Sequence, residues 1–274
     1  MHFTDIAIIG AGNMGASLLH GLLARGFPPE KITVADPSTL RLKELESKNI
    51  HVTEDNRLAI LHAKVILFAI KPAMMESVIT SLADVIQKNK PLLISIAAGI
   101  REESIAKYVG KPNAIVRCMP NTPAMIGCAA TALYANSEVS ADEKNIAETL
   151  LRSVGITVWI QDEKLMDAVT ALSGSGPAYI FLVIEALQKA GEQMGLSAET
   201  SRLLTLQTAY GASRMALESN HDVEELRKQV TSPQGTTEAA IRTLEKENIF
   251  DIFEKALLAA KRRGEELGSM KNNG

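Results

Sequence analysis

The sequence predicts an α/β fold in two parts: a doubly wound, mainly parallel sheet over residues 1–163, then an all-α domain over residues 164–274. Three observations predict it. Runs rich in Ile, Val and Leu at residues 5–9, 32–35, 65–70, 92–97, 114–117 and 157–160 alternate with helical stretches, the rhythm of parallel βαβ units. Several of these runs are apolar on consecutive positions, which a strand needs when helices cover both faces of its sheet. From about Lys164 to residue 268, Ala, Leu and Glu dominate and β-branched runs of strand length almost vanish. At about 150 residues per domain, a chain of 274 residues holds about two.

The first strand, residues 5–9, runs straight into Gly10-Ala11-Gly12-Asn13-Met14-Gly15 and then a helical stretch, residues 16–24. G-x-G-x-x-G at a strand-to-helix turn is the fingerprint of a Rossmann-type dinucleotide fold. Gly10 allows the tight turn, Gly12 lets backbone amides approach a pyrophosphate, and Gly15 lets helix and strand pack closely, with the helix N-terminus facing the anion. The second strand, residues 32–35, ends in Asp36, about twenty residues on, where a carboxylate accepts hydrogen bonds from the adenosine ribose; taken alone this favours NAD. Pro37, Ser38, Thr39 and Arg41 follow at once, and hydroxyls with a guanidinium suit a 2′-phosphate equally well, while Ser38 or Thr39 could simply cap the next helix.

The strand at 65–70 closes on Ala69-Ile70-Lys71-Pro72, at the edge where open α/β sheets bind ligands. Lys71 there fits a cofactor phosphate or ribose, and equally a solvated strand end. The next strand ends Ala97-Ala98-Gly99, small residues that leave room for a nicotinamide ring. The strand after it runs into Met119-Pro120-Asn121-Thr122-Pro123, which a Pro-rich turn would also explain.

In the helical half, Ser173-Gly174-Ser175-Gly176-Pro177-Ala178-Tyr179 opens a long helix, as an anion-facing N-terminus or an elaborate cap. Residues 178–194 of that helix are apolar on nearly every face and should be buried all round. A domain of only about 110 residues struggles to bury such a helix alone, so a homo-oligomer is expected. Ser232-Pro233-Gln234-Gly235-Thr236-Thr237 precedes another helix, where amides and hydroxyls can hold a small carboxylate or serve only as a cap. The tail, residues 269–274, is expected to be loose.

Composition excludes several classes. With 29 basic and 32 acidic side chains the formal charge is −3, which offers no basic face to nucleic acid. Apolar runs are interrupted, at Lys71 and Glu185 for example, before about 18 apolar residues accumulate, so no membrane span is expected. The N-terminus lacks a cationic, apolar leader, and two cysteines, Cys118 and Cys128, suit a reducing compartment; a cytoplasmic location follows. Cys118 reads as a small buried hydrophobe. The five histidines, His2, His20, His51, His62 and His221, show no ligand spacing, and no metal is expected.

Taken in order, the glycine turn, Ala69-Ile70-Lys71-Pro72, Ser95-Ile96-Ala97-Ala98-Gly99, Arg117-Cys118-Met119-Pro120-Asn121-Thr122-Pro123, the Ser173 to Tyr179 motif and the Ser232 to Thr237 motif resemble the pyrroline-5-carboxylate reductases over almost the whole chain. The last three signatures are specific to that family. The resemblance implies reduction of the cyclic imine L-1-pyrroline-5-carboxylate to L-proline by NADPH or NADH, the last step of proline biosynthesis. It implies a helical domain whose helices interlock in a dimer, with dimers that can gather into rings, and a substrate pocket completed across the dimer. Cofactor contacts carry over onto Gly10, Ala11, Gly12, Asn13, Met14, Gly15, Asp36, Ser38, Asn56, Ala69, Ile70, Lys71, Pro72, Ala97 and Glu163. Substrate contacts carry over onto Ser232, Gly235, Thr236 and Thr237, with the Thr237 hydroxyl beside the imine nitrogen.

This chain departs from the family at Gln234, where a glycine is usual. Because a glycine takes positive φ freely and Gln does so only with steric strain, the backbone path and amide geometry of this loop are left open, and the chemistry survives if Gly235 carries the special conformation. Two other readings compete. A β-hydroxyacid dehydrogenase would need a basic residue after its glycine-rich turn, and residues 177–181 contain no Lys. A non-catalytic NAD(P)-sensing protein would bind cofactor and leave the imine unreduced.

Overall fold

The computed structural model describes residues 4–272. Its single sheet contains β1 (Ile6–Ile9), β2 (Ile32–Ala35), β3 (His51–Thr53), β4 (Val65–Phe68), β5 (Leu92–Ser95), β6 (Ile115–Met119), β7 (Ala129–Ala135) and β8 (Gly155–Trp159), in the spatial order β3-β2-β1-β4-β5-β6-β7-β8. Strands β1 to β6 are mutually parallel and share one C-terminal edge. β7 reverses against β6 and β8 follows β7 in parallel, which makes the sheet mainly parallel with an inverted edge pair. The helices are α1 (Asn13–Ala24), α2 (Thr39–Glu46), α3 (Asn56–Ile60), α4 (Met75–Asn89), α5 (Glu102–Val109), α6 (Ala141–Leu151), α7 (Met166–Val169), α8 (Gly176–Gln193), α9 (Ala198–Glu218), α10 (Val223–Gln229), α11 (Thr236–Lys246) and α12 (Ile249–Asn272).

The consecutive apolar residues of the central strands divide between two cores. From β1, Ile6 and Ile8 join Leu18, Leu19 and Leu22 of α1 and Leu150 of α6 on one face. Ala7 and Ile9 join Ile60, Met75, Ile79 and Ile86 from α3 and α4 on the other. The alternation repeats in β4, with Val65 and Leu67 against Ile66 and Phe68. A period-two backbone with apolar side chains at every position can only be buried by helices on both faces, which is the doubly wound arrangement.

Two strands escaped the sequence pattern. β3 is a three-residue edge strand with an exposed His51, and β7 is Ala-rich, a residue of weak strand preference.

Contacts divide the chain into two compact units, one made of residues up to Ser175 together with those from Ala260 onward, the other Gly176–Ala259. In the second unit α8 packs on α9 through Gly191, where a Cβ would lie 2.4 Å from Ser201 Oγ, and through the Ser201 hydroxyl, which donates to the Gln188 carbonyl at 2.7 Å. Arg227 of α10 pairs with Glu245 of α11 at 2.8 Å.

Helix α8 corrects one expectation. It is not buried all round within the chain: Ile180, Phe181, Leu182, Val183 and Leu187 are all exposed, and Gly191 is its single buried residue. Within Gly176–Ala259 only Gly191 and Ser201 are buried. This unit therefore has apolar helix faces without a core of its own within one chain. The run Glu163–Gln193 is also long and apolar enough to cross a membrane by length and composition. Of the tail expected to be loose, residues 269–272 continue α12 and the last two lie outside the described residues.

Candidate active site

The parallel strands deliver the predicted cofactor segments to one edge. Gly10 leaves β1 with φ +104, and its N–H donates to the Ala35 carbonyl at the end of β2 at 2.7 Å. A Cβ on Gly10 would lie 2.6 Å from the Ala69 carbonyl oxygen, and one on Gly15 would lie 2.1 Å from the Gly10 carbonyl oxygen. Both glycines are therefore required by the close crossing of β1, α1 and the end of β4. Gly12 differs: a Cβ there would meet nothing within 4 Å, and as N-cap of α1 it supplies no side-chain cap. The first N–H groups of α1 thus face open space, with Asn13 exposed and Met14 half-buried beside them, an arrangement that fits a dinucleotide pyrophosphate.

Asp36 is 3% exposed and committed to the backbone. Its Oδ2 accepts from the Ala11 N–H at 2.8 Å, and its Oδ1 accepts from the Ser38 N–H at 2.9 Å. Arg41 approaches the same carboxylate at 3.4 Å while keeping 56% of its own side chain exposed. The carboxylate therefore braces the glycine turn, and the groups turned outward after β2 are Ser38, Thr39 and Arg41. Neither hydroxyl caps α2: Ser38 at the N-cap makes no side-chain cap bond, and Thr39 donates to Glu54 at 2.9 Å.

Further along the edge, Asn56 starts α3, which is capped by Asp55 accepting from the Arg57 N–H at 2.7 Å. Ala69 and Ile70 are half-buried, Pro72 opens a short 3-10 turn, and Lys71 is exposed. Ala97 is buried just beyond β5. Glu163 sits in the same unit with its carboxylate already engaged: Oε1 accepts from Arg117 Nη1 at 2.6 Å and from the Glu102 N–H at 2.7 Å. It borders a polar cavity of about 250 Å³ lined also by Arg101, Tyr134 and Asp167. Burial lifts the Asp167 carboxyl above its ordinary range. Burial likewise pushes the Cys118 thiol far up, with Arg117 only partly opposing, so Cys118 is an inert core residue as its sequence context implied.

The predicted substrate residues belong to the other unit, gathered in one turn before α11. Gly235 is the N-cap of α11 and supplies no side-chain cap, leaving the N–H groups of the first turn free for a carboxylate. Ser232, Thr236 and Thr237 are exposed around it. The special backbone conformation falls on Gln234, at φ +59, whereas Gly235 has φ −85, so it is Gln234 and not Gly235 that bears the strain. Two contacts hold the turn. The Gln234 N–H donates to the Glu238 carboxylate at 2.7 Å, and the Gly235 N–H donates to the Ser232 carbonyl at 3.0 Å, which imposes the bend at position 234.

One contact was not legible from sequence. Asn121, after β6, joins the turn following that strand to the Ser173-Gly174 motif, its amide donating to the Ser173 carbonyl at 3.2 Å. His20, His51, His62 and His221 are exposed, His2 lies outside the described residues, and among the described residues no group of three His, Cys, Asp or Glu side chains is placed to hold a metal.

Comparison with known proteins covers both units. Residues 163–267 match the family model for pyrroline-5-carboxylate reductase dimerisation, and residues 5–99 match that for coenzyme F420-dependent NADP oxidoreductase. The chain is 48% identical to a pyrroline-5-carboxylate reductase of Pseudomonas aeruginosa over 263 residues, 96% of each chain. The solved structure of a pyrroline-5-carboxylate reductase from Coxiella burnetii superposes with a TM-score of 0.94 at 46% identity, over 97% of this chain and 99% of that one. That of Plasmodium falciparum pyrroline carboxylate reductase with NADP bound gives 0.86 at 32% identity, over 98% and 99%. With the glycine turn, the strand-end segments and the α11 turn all in place, this chain belongs to the pyrroline-5-carboxylate reductase family.

Proposed function

We propose that this protein reduces L-1-pyrroline-5-carboxylate to L-proline with NADPH or NADH, as a cytoplasmic homo-oligomer built from interlocked dimers. The observation that carries the reading is 48% identity to a pyrroline-5-carboxylate reductase across 96% of the chain. Residues 164–274 act as the substrate-binding and dimerisation domain, and residues 1–163 as the dinucleotide-binding domain. The exposed apolar faces of α8 and its neighbours, within the segment matching a dimerisation model, support a second copy as their cover.

When bound, the dinucleotide would supply a hydride for the imine carbon. The residues of the chain do the rest by holding and orienting. Amides at the N-terminus of α1 and Ser38, Asn56 and Lys71 hold the dinucleotide, and Ala97 leaves room at the ring end. The free N–H groups at the start of α11, with Ser232, Gly235 and Thr236, hold the substrate carboxylate, and the Thr237 hydroxyl hydrogen-bonds the imine nitrogen. Threonine is too weak an acid to protonate that nitrogen outright, so the proton of the amine comes from solvent. Positioning is the main contribution.

The arrangement after β2 favours the phosphorylated cofactor. Asp36 is buried and each of its oxygens accepts from a backbone N–H, so Ser38 and the exposed Arg41 guanidinium are the groups that would hold a 2′-phosphate. The test follows absorbance loss of NADPH and NADH separately, with and without pyrroline-5-carboxylate. Consumption that requires the imine, faster with NADPH at equal concentration, is expected; cofactor binding without imine-dependent oxidation would establish a sensing protein instead. Thr237→Ala should lower kcat/KM by about ten-fold or more, the scale of a hydrogen bond to a charged group, and an unchanged value removes Thr237 from the mechanism.

A further inference from the structure

Asn121 joins its own turn to β7 and to a segment 52 residues further along the chain. Its Oδ1 accepts from the Ala130 N–H in β7 at 3.0 Å, and its Nδ2 donates to the Ser173 carbonyl at 3.2 Å. The Ser173 hydroxyl closes the triangle by donating to the Ala130 carbonyl at 3.3 Å. Ser173 lies in a π-helical turn, Thr170–Gly174, in which the Ser175 N–H reaches the Thr170 carbonyl at 2.8 Å. Such turns cost regular helix geometry and persist where surrounding contacts hold them, frequently at functional sites. The same turn is pinned a second time, because a Cβ on Gly174 would lie 2.5 Å from Met119 Cε, so Met119 packs directly on that glycine.

The brace stands at the ligand edge of the sheet. β5 and β6 are in parallel register at Ser95↔Arg117, and Ala97 and Met119 each follow that pair by two residues. Ala97, expected at the ring site, and Met119, seated on the π turn, thus both lie at the C-terminal ends of adjacent parallel strands. The Asn121 side-chain amide is engaged with Ala130 and Ser173, so it ties both segments to the end of β6.

Resting on the reductase reading above, we infer that Asn121 is a positioning residue for hydride transfer: it clamps the Thr170–Gly174 π turn against the end of β6, so that the ring site keeps one rigid wall. An isosteric change separates this role from general stability. In Asn121→Asp, one carboxylate oxygen still accepts from Ala130, while the other confronts the Ser173 carbonyl in place of a donor.

The experiment compares wild type, N121D and G174A as whole oligomeric enzymes, with kcat, both KM values, and the primary deuterium isotope effect from NADPH carrying deuterium at C4. G174A leaves Asn121 intact and presses Met119 off the turn, so it keeps the inference testable if N121D does not fold. Expected for N121D is a fall of about ten-fold or more in kcat, as a small misplacement of reacting groups produces, and for G174A a smaller fall in the same direction, because the Met119 Cε it displaces is the free end of a flexible side chain. NADPH KM should stay within about two-fold, and the isotope effect on kcat should grow because hydride transfer becomes more rate-limiting. Wild-type kcat and isotope effect in folded variants would overturn the inference and leave the reductase reading standing. A rise confined to KM would overturn it in favour of a binding role. Absence of imine reduction by the wild-type chain would overturn both.

Discussion

At the residue scale, the side chains that matter are those whose roles are set by what they touch. Asp36 looks like a ribose ligand by position, yet two backbone N–H groups occupy its oxygens. Arg41 is the cationic group left over, and its exposed pairing with Asp36 at 3.4 Å adds little stability. Arg41→Ala should therefore raise the KM for NADPH by about ten-fold, the worth of a charge-assisted hydrogen bond, and leave the KM for NADH unchanged; initial rates with each cofactor check this. Gln234 holds a positive φ that costs a non-glycine residue about 1 kcal/mol. Gln234→Gly should accordingly raise stability by up to about 1 kcal/mol, partly offset by the greater freedom of glycine in the unfolded chain, with kcat/KM retained. Denaturant unfolding of the two proteins decides it, and a loss of stability would mean that the Gln234 side chain makes a contribution beyond its backbone.

At the scale of elements, the unit that matters is β1 running through a glycine turn into α1. Its geometry leaves no room at Gly15, so Gly15→Ala must push α1 away from the Gly10 carbonyl or bend the turn. A cost of about 1–3 kcal/mol in stability is expected from such overpacking, together with a weaker cofactor site as the α1 amides move; thermal melting and the NADPH KM report the two effects separately. Elements with strong periodicity were readable in advance. The central strands announced themselves by consecutive apolar residues, and the glycine turn by its spacing. β7 did not, because Ala-Ala-Thr-Ala-Leu-Tyr-Ala has the composition of a helix, and its pairing with β6 and β8 overrides that preference. The turn before α11 was legible as the start of a helix but not in its bend, which depends on the carboxylate of Glu238 reaching back to position 234.

At the scale of the whole molecule, the helical unit Gly176–Ala259 has helices, caps and ion pairs but almost no buried residues within one chain. Its stability is then inseparable from association. Phe181, 65% exposed on α8, is a clear probe: Phe181→Asp should dissociate the oligomer and abolish most of the reductase activity. Sedimentation at micromolar concentration checks it, and an unchanged mass would show that this face of α8 is not covered by a second copy. The sequence by itself determined the fold class, the dinucleotide turn and the family, because these are written in local periodicity and in short motifs whose order along the chain is covalent. Only the tertiary structure decided that Asp36 braces Ala11, 25 residues away, and that Asn121 reaches Ser173, 52 residues away. Hydrogen bonds across such separations depend on how the strands stack at one edge, and no local pattern encodes which of several polar side chains will find its partner there.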